Sequence, residues 1–262
     1  MLLEAGSFGF SADWASAQAA LAARGLRSMA YDRAGLGFSD PGPSPRDGLA
    51  IAGDLEKLIS AMGETGPFIL CAHSMGGLHV HLFAARNPTR VMGLVLVDAA
   101  TPGSMESRRV RTAVEQFGHA TRLAAWGARA GLFGPLVGTW LSDGIGLEGA
   151  AKIEKRWAFA AGAHNRSSAE EVAEWPATAD QARRTGDLRP EWPVAVVLAG
   201  PPHERRWLKT LQAAPARASH RGYVEHVSGA DHANILGAGH AEAIVRAVAW
   251  VKETGLQGPQ RT

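Results

Sequence analysis

Short apolar runs alternate with longer helix-like segments along this chain. That alternation predicts a parallel sheet with crossover helices, since parallel strands need a long connection to return to the same edge. Strand candidates are Met29–Tyr31, Phe68–Cys71, Leu94–Val97, Val194–Leu198 and Tyr223–Val227. The unbroken apolar character of Leu94–Val97 and Val194–Leu198 suits strands covered on both faces. Helices are expected at Ala12–Arg24, Ile51–Met62 and Met75–Arg86, with a closing helix over Ala238–Lys252. The third of these stops at Asn87-Pro88, because proline cannot continue a helix.

Between Leu94–Val97 and Val194–Leu198 lie about ninety residues, Ala99 to Pro193, far more than a plain crossover needs. The stretch is helix-friendly and carries Trp126, Trp140, Trp157 and Trp175. We read it as a helical lid over the C-terminal edge of the sheet. Its tryptophans either fasten it to the body or line a pocket. The expected division is a core of residues 1–100 and 188–262, with a lid at 101–187.

Length and composition fit this picture. The 262 residues are 46% hydrophobic and 20% charged, ordinary for a globular enzyme. A single cysteine, Cys71, rules out an intramolecular disulfide. The net charge of +2 makes no case for nucleic acid or an anionic membrane as partner. Met1-Leu2-Leu3-Glu4 lacks the features of a signal peptide, and no run is long and apolar enough to span a bilayer. The expectation is a cytoplasmic protein whose partner is a small-molecule substrate. Gly255 to Thr262 reads as a frayed tail.

The sharpest chemical signal is Phe68-Ile69-Leu70-Cys71-Ala72-His73-Ser74-Met75-Gly76-Gly77. A strand that turns sharply into a helix would leave Ser74 exposed at the tip. Small residues at Ala72 and Gly76 let the two backbones approach. The helix N-terminus then offers free N–H groups and partial positive charge, and the Met75 N–H is placed to hold a developing oxyanion. His232 follows the last predicted strand in a loop at the sheet's C-terminal edge, which makes it the candidate base. Asp98 ends the strand Leu94–Val97 and is the first candidate for the acid that would fix the histidine's tautomer. Glu204, in the loop after Val194–Leu198, is the alternative acid, and Asp231 should point elsewhere. His73 flanks the serine but should face away from its pocket. His79 and His81, two apart on a helix, read as structural. No metal-ligand cluster has regular spacing, and the chemistry needs no cofactor.

With these residues in view, the chain resembles the α/β-hydrolase superfamily over nearly its whole length. Its order of serine, acid and histidine is that family's. Leu2-Leu3-Glu4-Ala5-Gly6-Ser7-Phe8 is similar to the oxyanion loop, with Ala5-Gly6 where His-Gly is usual, which implies Ser7 as the second N–H donor. Tyr31-Asp32-Arg33-Ala34-Gly35-Leu36-Gly37-Phe38-Ser39 is similar to the family's Asp-x-x-Gly-x-Gly-x-Ser turn, mostly structural, so Asp32 is not the acid. The family's usual acid position falls near residue 203, here histidine, while some haloalkane dehalogenases carry the acid where Asp98 falls. The resemblance implies an α/β fold with a mostly parallel, doubly wound sheet. The family's opening hairpin has no room ahead of Leu2, so six parallel strands are expected, with Met29–Tyr31 as an exposed edge. It also implies hydrolysis of an ester or, less readily, an amide through an acyl-enzyme. Lyase, haloperoxidase or C–C hydrolase chemistry on the same residues, and ligand binding without catalysis, are the alternatives.

Overall fold

The computed structural model describes residues 1–139 and 142–257. Its strands are β1 (Leu2–Glu4), β2 (Met29–Ala30), β3 (Phe68–His73), β4 (Val91–Val97), β5 (Val194–Ala199) and β6 (Gly222–Val227). They form one six-stranded sheet in the order β2-β1-β3-β4-β5-β6, every pair parallel. The order runs outward in both directions from β1 and β3, so helices cover both faces. Met29–Ala30 is indeed an edge, although Tyr31 lies beyond it.

The sixth strand is Leu2–Glu4, which the sequence reading placed inside a loop. Three residues are too few for a periodic signal, yet all three are buried between β2 and β3. Alternate side chains of the central strands go to opposite faces, as the pleat requires. Leu70, Leu94, Leu96, Val196 and Leu198 pack beneath α2 (Gly48–Ala61) and α3 (Gly76–Arg86). Leu3, Cys71, Val95, Val97 and Val197 pack beneath α1 (Ala15–Ala22) and the closing helix. Each fully buried aliphatic side chain contributes about 1.5–3 kcal/mol of transfer free energy.

The segment between β4 and β5 carries α4 (Arg108–Arg129), α5 (Gly149–Ala160), α6 (Gly162–Ala173) and α7 (Trp175–Arg184). There α4 packs on α6, α7 on α2 and α3, and α5 on the 3-10 turn Ser11–Trp14. After β5 come α8 (Arg206–Gln212) and α9 (Ala214–Ala218), and after β6 the closing α10 (Ala241–Leu256). The tail expectation fails for Gly255 and Leu256, which belong to α10. Gly255 lies so close to β4 that a Cβ there would come 2.6 Å from Met92 Cγ, so packing prolongs the helix. The rest of that tail beyond residue 257, and Trp140, lie outside the described residues. Among the described residues no helix is long and apolar enough to cross a membrane.

Candidate active site

β3 ends at His73 and α3 begins at Gly76, so Ser74 occupies the reversal between them with φ 53°. A non-glycine residue held there is strained, and the surroundings have to enforce it. They do so through the Ser74 carbonyl, which accepts the N–H groups of Gly77 (3.1 Å) and Ala100 (2.8 Å), and through the Ser74 N–H, which donates to Val97 O (3.3 Å). Gly76 is required by contact. A Cβ there would lie 2.8 Å from Ala5 O and 2.9 Å from Glu4 O.

His232 meets this turn from the loop after β6. Its Nε2 is 3.0 Å from Ser74 Oγ and its Nδ1 2.5 Å from Asp98 Oδ2. A carboxylate accepts, so the ring proton is on Nδ1, and Nε2 accepts from the serine hydroxyl. Asp98 is itself held in the left-handed region, φ 42°, with its N–H on Val197 O (2.7 Å). Its second oxygen faces the Ala199 N–H (3.4 Å) and Gln212 Nε2 (3.3 Å). Burial would raise the Asp98 carboxyl, but the hydrogen bond and charge of His232 outweigh it and hold it below the ordinary carboxyl range.

Glu204 lines the same pocket of about 420 Å3 as Asp98, Lys209, Gln212 and His232, but the histidine's Nδ1 is bonded to Asp98. Asp231 points elsewhere, as expected. Its Oδ1 takes the N–H groups of Ala233 (2.9 Å) and Asn234 (2.8 Å), shaping the loop that carries His232.

His73 has a part that its sequence context did not reveal. Its Nε2 donates to the backbone oxygen of His232 at 2.8 Å, and the two rings lie 4.7 Å apart. Burial, with His232 beside it, pushes the His73 imidazolium down to about 3, so the ring is neutral at any working pH. His79 and His81 are structural. His79 Nδ1 is 2.8 Å from Glu4 Oε1, and His81 Nε2 is 2.9 Å from Gly186 O.

On the other side of Ser74 lies the loop Ala5–Phe8. Gly6 touches the turn so closely that a Cβ would be 2.7 Å from Ser74 Cβ. The Ser7 hydroxyl donates to Met75 Sδ at 3.6 Å. Among the described residues, neither the Ser7 N–H nor the Met75 N–H has a protein acceptor. Loop carbonyls are held from outside. Arg33 donates to Ala5 O (2.8 Å) and Gly6 O (2.9 Å), and Lys155 donates to Phe8 O (3.1 Å). His164 Nδ1 accepts the Gly37 N–H at 3.0 Å, so its proton sits on Nε2, 3.3 Å from Phe8 O. Burial and nearby Lys155 push His164 down to about 4.

Arg33 is fully buried and bidentate on Glu171 of α6, with Nε 3.0 Å from Oε1 and Nη2 2.7 Å from Oε2. Its Nη1 reaches Glu4 Oε1 at 2.9 Å, and Tyr31 also donates to Glu4. Burial would lower the Arg33 guanidinium, but Glu171 and Glu4 outweigh it and raise it. The Asp32 side chain accepts from Ser11 N and Phe38 N, in keeping with a structural turn.

Of the tryptophans between β4 and β5, Trp157 stacks on Phe38 (5.0 Å, 6° between planes) and so fastens the segment to the body. Trp175 meets Phe117 edge-on, and Phe117 in turn meets Phe8, next to Ser7. Trp126 is exposed and does neither. Among the described residues no cluster of three or more His, Cys, Asp or Glu is arranged to hold a metal ion.

Comparison with known proteins agrees with this architecture. The α/β hydrolase fold family matches residues 1–139. The chain is 33% identical over 128 residues to "Putative carbamate hydrolase RutD" of Klebsiella pneumoniae, covering 48% of this chain and 47% of that protein. It spans as little as 14% of other curated relatives, such as an uncharacterised protein of Schizosaccharomyces pombe. An esterase of Thermogutta terrifontis is 20% identical with a TM-score of 0.68, the alignment covering 97% of this chain and 89% of that one. The haloalkane dehalogenase DbeA of Bradyrhizobium elkani is 20% identical with a TM-score of 0.72, covering 98% and 91%. At such identities the likeness is one of fold. Family match, parallel sheet and strand order agree, and the chain belongs to the α/β hydrolase fold family.

Proposed function

We propose that this hydrolase cleaves a small, apolar carboxylic ester, or less readily an amide, through an acyl-enzyme on Ser74. The observation that carries the reading is the unbroken line from Ser74 Oγ through His232 to Asp98, at 3.0 and 2.5 Å. His232 Nε2 takes the hydroxyl proton as Ser74 Oγ attacks the substrate carbonyl. The charge that develops on the carbonyl oxygen is met by the Met75 and Ser7 N–H groups. His232 then protonates the leaving alkoxide. Water attacks the acyl-enzyme with His232 again taking a proton, and the acid departs. No step calls for a metal or an organic cofactor.

Serine at position 74 argues against dehalogenase or epoxide hydrolase chemistry, which in this family uses aspartate there. The relative named as a putative carbamate hydrolase supports acyl chemistry. Residues 101–187 act as a lid over core residues 1–100 and 188–262. The aromatic series Phe8, Phe117 and Trp175 supports an apolar acyl or alcohol group.

Hydrolysis of a short p-nitrophenyl ester series by wild type and Ser74→Ala tests this. Wild type turns over and is labelled by a fluorophosphonate probe, while Ser74→Ala does neither. A folded wild type that is inert to both overturns the reading.

A further inference from the structure

The Ser7 N–H and the Gly6 C=O belong to one peptide unit. In a planar trans peptide these two groups point in opposite directions. Whatever fixes the carbonyl therefore aims the N–H. The Gly6 carbonyl accepts from Arg33 Nη2 at 2.9 Å and from the Gly9 N–H at 3.1 Å. The same guanidinium holds the preceding carbonyl, Ala5 O, at 2.8 Å. Lys155 and His164 hold Phe8 O instead, whose peptide unit carries the Gly9 N–H and not that of Ser7.

We infer that Arg33 is a positioning residue for the Ser7 oxyanion donor, and that Glu171 of α6 sets Arg33 in place. The inference rests on the hydrolase reading above. Arg33 spends its Nε and one Nη2 bond on the Glu171 carboxylate, and its Nη1 is shared between Glu4 and Ala5 O. The side chains of all three charged residues are 2% exposed or less, so water does not compete for these bonds. A cation on the carbonyl oxygen also draws charge toward it and makes the N–H at the far end of the unit a stronger donor. The oxyanion site is thus complete only when α6 is docked on the core. A helix of the insertion contributes to the chemistry without reaching the substrate.

The test is the kinetics of Arg33→Lys and Glu171→Gln on a short p-nitrophenyl ester, beside their inhibition by a trifluoromethyl ketone. The ketone's adduct with Ser74 places an oxyanion where the substrate carbonyl oxygen would be. Losing a whole oxyanion donor costs about 10²–10³-fold in kcat. A misaimed donor should cost less, about 10- to 100-fold for Arg33→Lys and about 3- to 10-fold for Glu171→Gln. KM should move by less than about threefold, and ketone affinity should fall in step with kcat/KM. Should Arg33→Lys fail to fold, Glu171→Gln, which keeps the shape and one acceptor oxygen, decides alone. Folded variants that only melt earlier, with kcat and ketone affinity unchanged, overturn the inference and leave the hydrolase intact. A wild type inert to ester and ketone alike overturns both readings.

Discussion

Met75 and Ser7 lie side by side, with the Ser7 hydroxyl 3.6 Å from Met75 Sδ, yet their backbones are held by different means. The Met75 peptide unit is fixed by backbone alone. Its carbonyl partner, Ser74 O, takes N–H groups from Gly77 of α3 and from Ala100 just past the neighbouring strand β4. The Ser7 unit has one backbone bond, from the Gly9 N–H to Gly6 O, and is otherwise fixed from a distance by side chains, by Arg33 and through it by Glu171, 138 residues further along. A strained turn can be over-determined by backbone bonds to the helix it starts and to the strand beside it. A loop ahead of a 3-10 turn has no ladder of its own, so side chains from elsewhere must supply the constraint.

Breaking each side in turn sharpens this contrast. The largest effect is expected on the turn's side, where Asp98→Asn leaves His232 in the wrong tautomer. It should lower kcat on p-nitrophenyl esters by about 10⁴-fold, while Glu204→Gln stays within twofold. Gly6→Ala comes next, because the new Cβ would lie 2.7 Å from Ser74 Cβ and displace the loop. A kcat loss of about 10²-fold is expected, comparable with losing one oxyanion donor, and a folded variant with wild-type kcat would contradict the contact. Lys155→Met removes the partner of buried Asp13, whose carboxyl burial already pushes up against the pull of Lys155. Chemical denaturation should show a loss of about 2–4 kcal/mol, with kcat falling less than in Gly6→Ala.

The smallest effect is a matter of pH. His73 and His164 bind a proton less readily in the folded chain than in the unfolded one, the first down to about 3 and the second to about 4. Their contribution to stability is complete above the ordinary histidine value of about 6.5 and is lost as pH falls toward those values. Thermal midpoints from pH 7 to 4 should fall less steeply in His164→Gln than in wild type. An equal slope would show that the ring titrates in its ordinary range.

How much of this could be read from the chain depended on how far apart the cooperating residues lie. The Ser74 turn was legible because strand, small residues, nucleophile and helix are contiguous. Asp98 and His232 were legible because strand ends put them on one edge of the sheet. Leu2–Glu4 was not legible as a strand, because three residues carry no period. Glu171 and His164 were hidden for another reason. They lie two turns apart on α6, and that helix buries a face made of His164, Ser168 and Glu171, where an apolar stripe would normally mark the interior. Arg33 sat in plain view inside a turn motif, but nothing local distinguishes a buried arginine from an exposed one. His73 was placed correctly beside the serine, while its bond to the His232 backbone spans 159 residues.

The Arg33–Glu171 pair also bears on how freely the parts of such an enzyme can be exchanged. Grafting a foreign helical segment between β4 and β5 would bring in a helix without Glu171 and leave Arg33 buried beside Glu4 alone. Moving this segment onto another core would bury the Glu171 carboxylate with no cation to meet it. The second mismatch leaves an uncompensated charge in the interior, at about 3–5 kcal/mol, while the first leaves Arg33 paired with Glu4 but its buried Nε without an acceptor. The pair therefore works as a lock and its key between body and insertion, and a working chimera has to inherit both residues or neither.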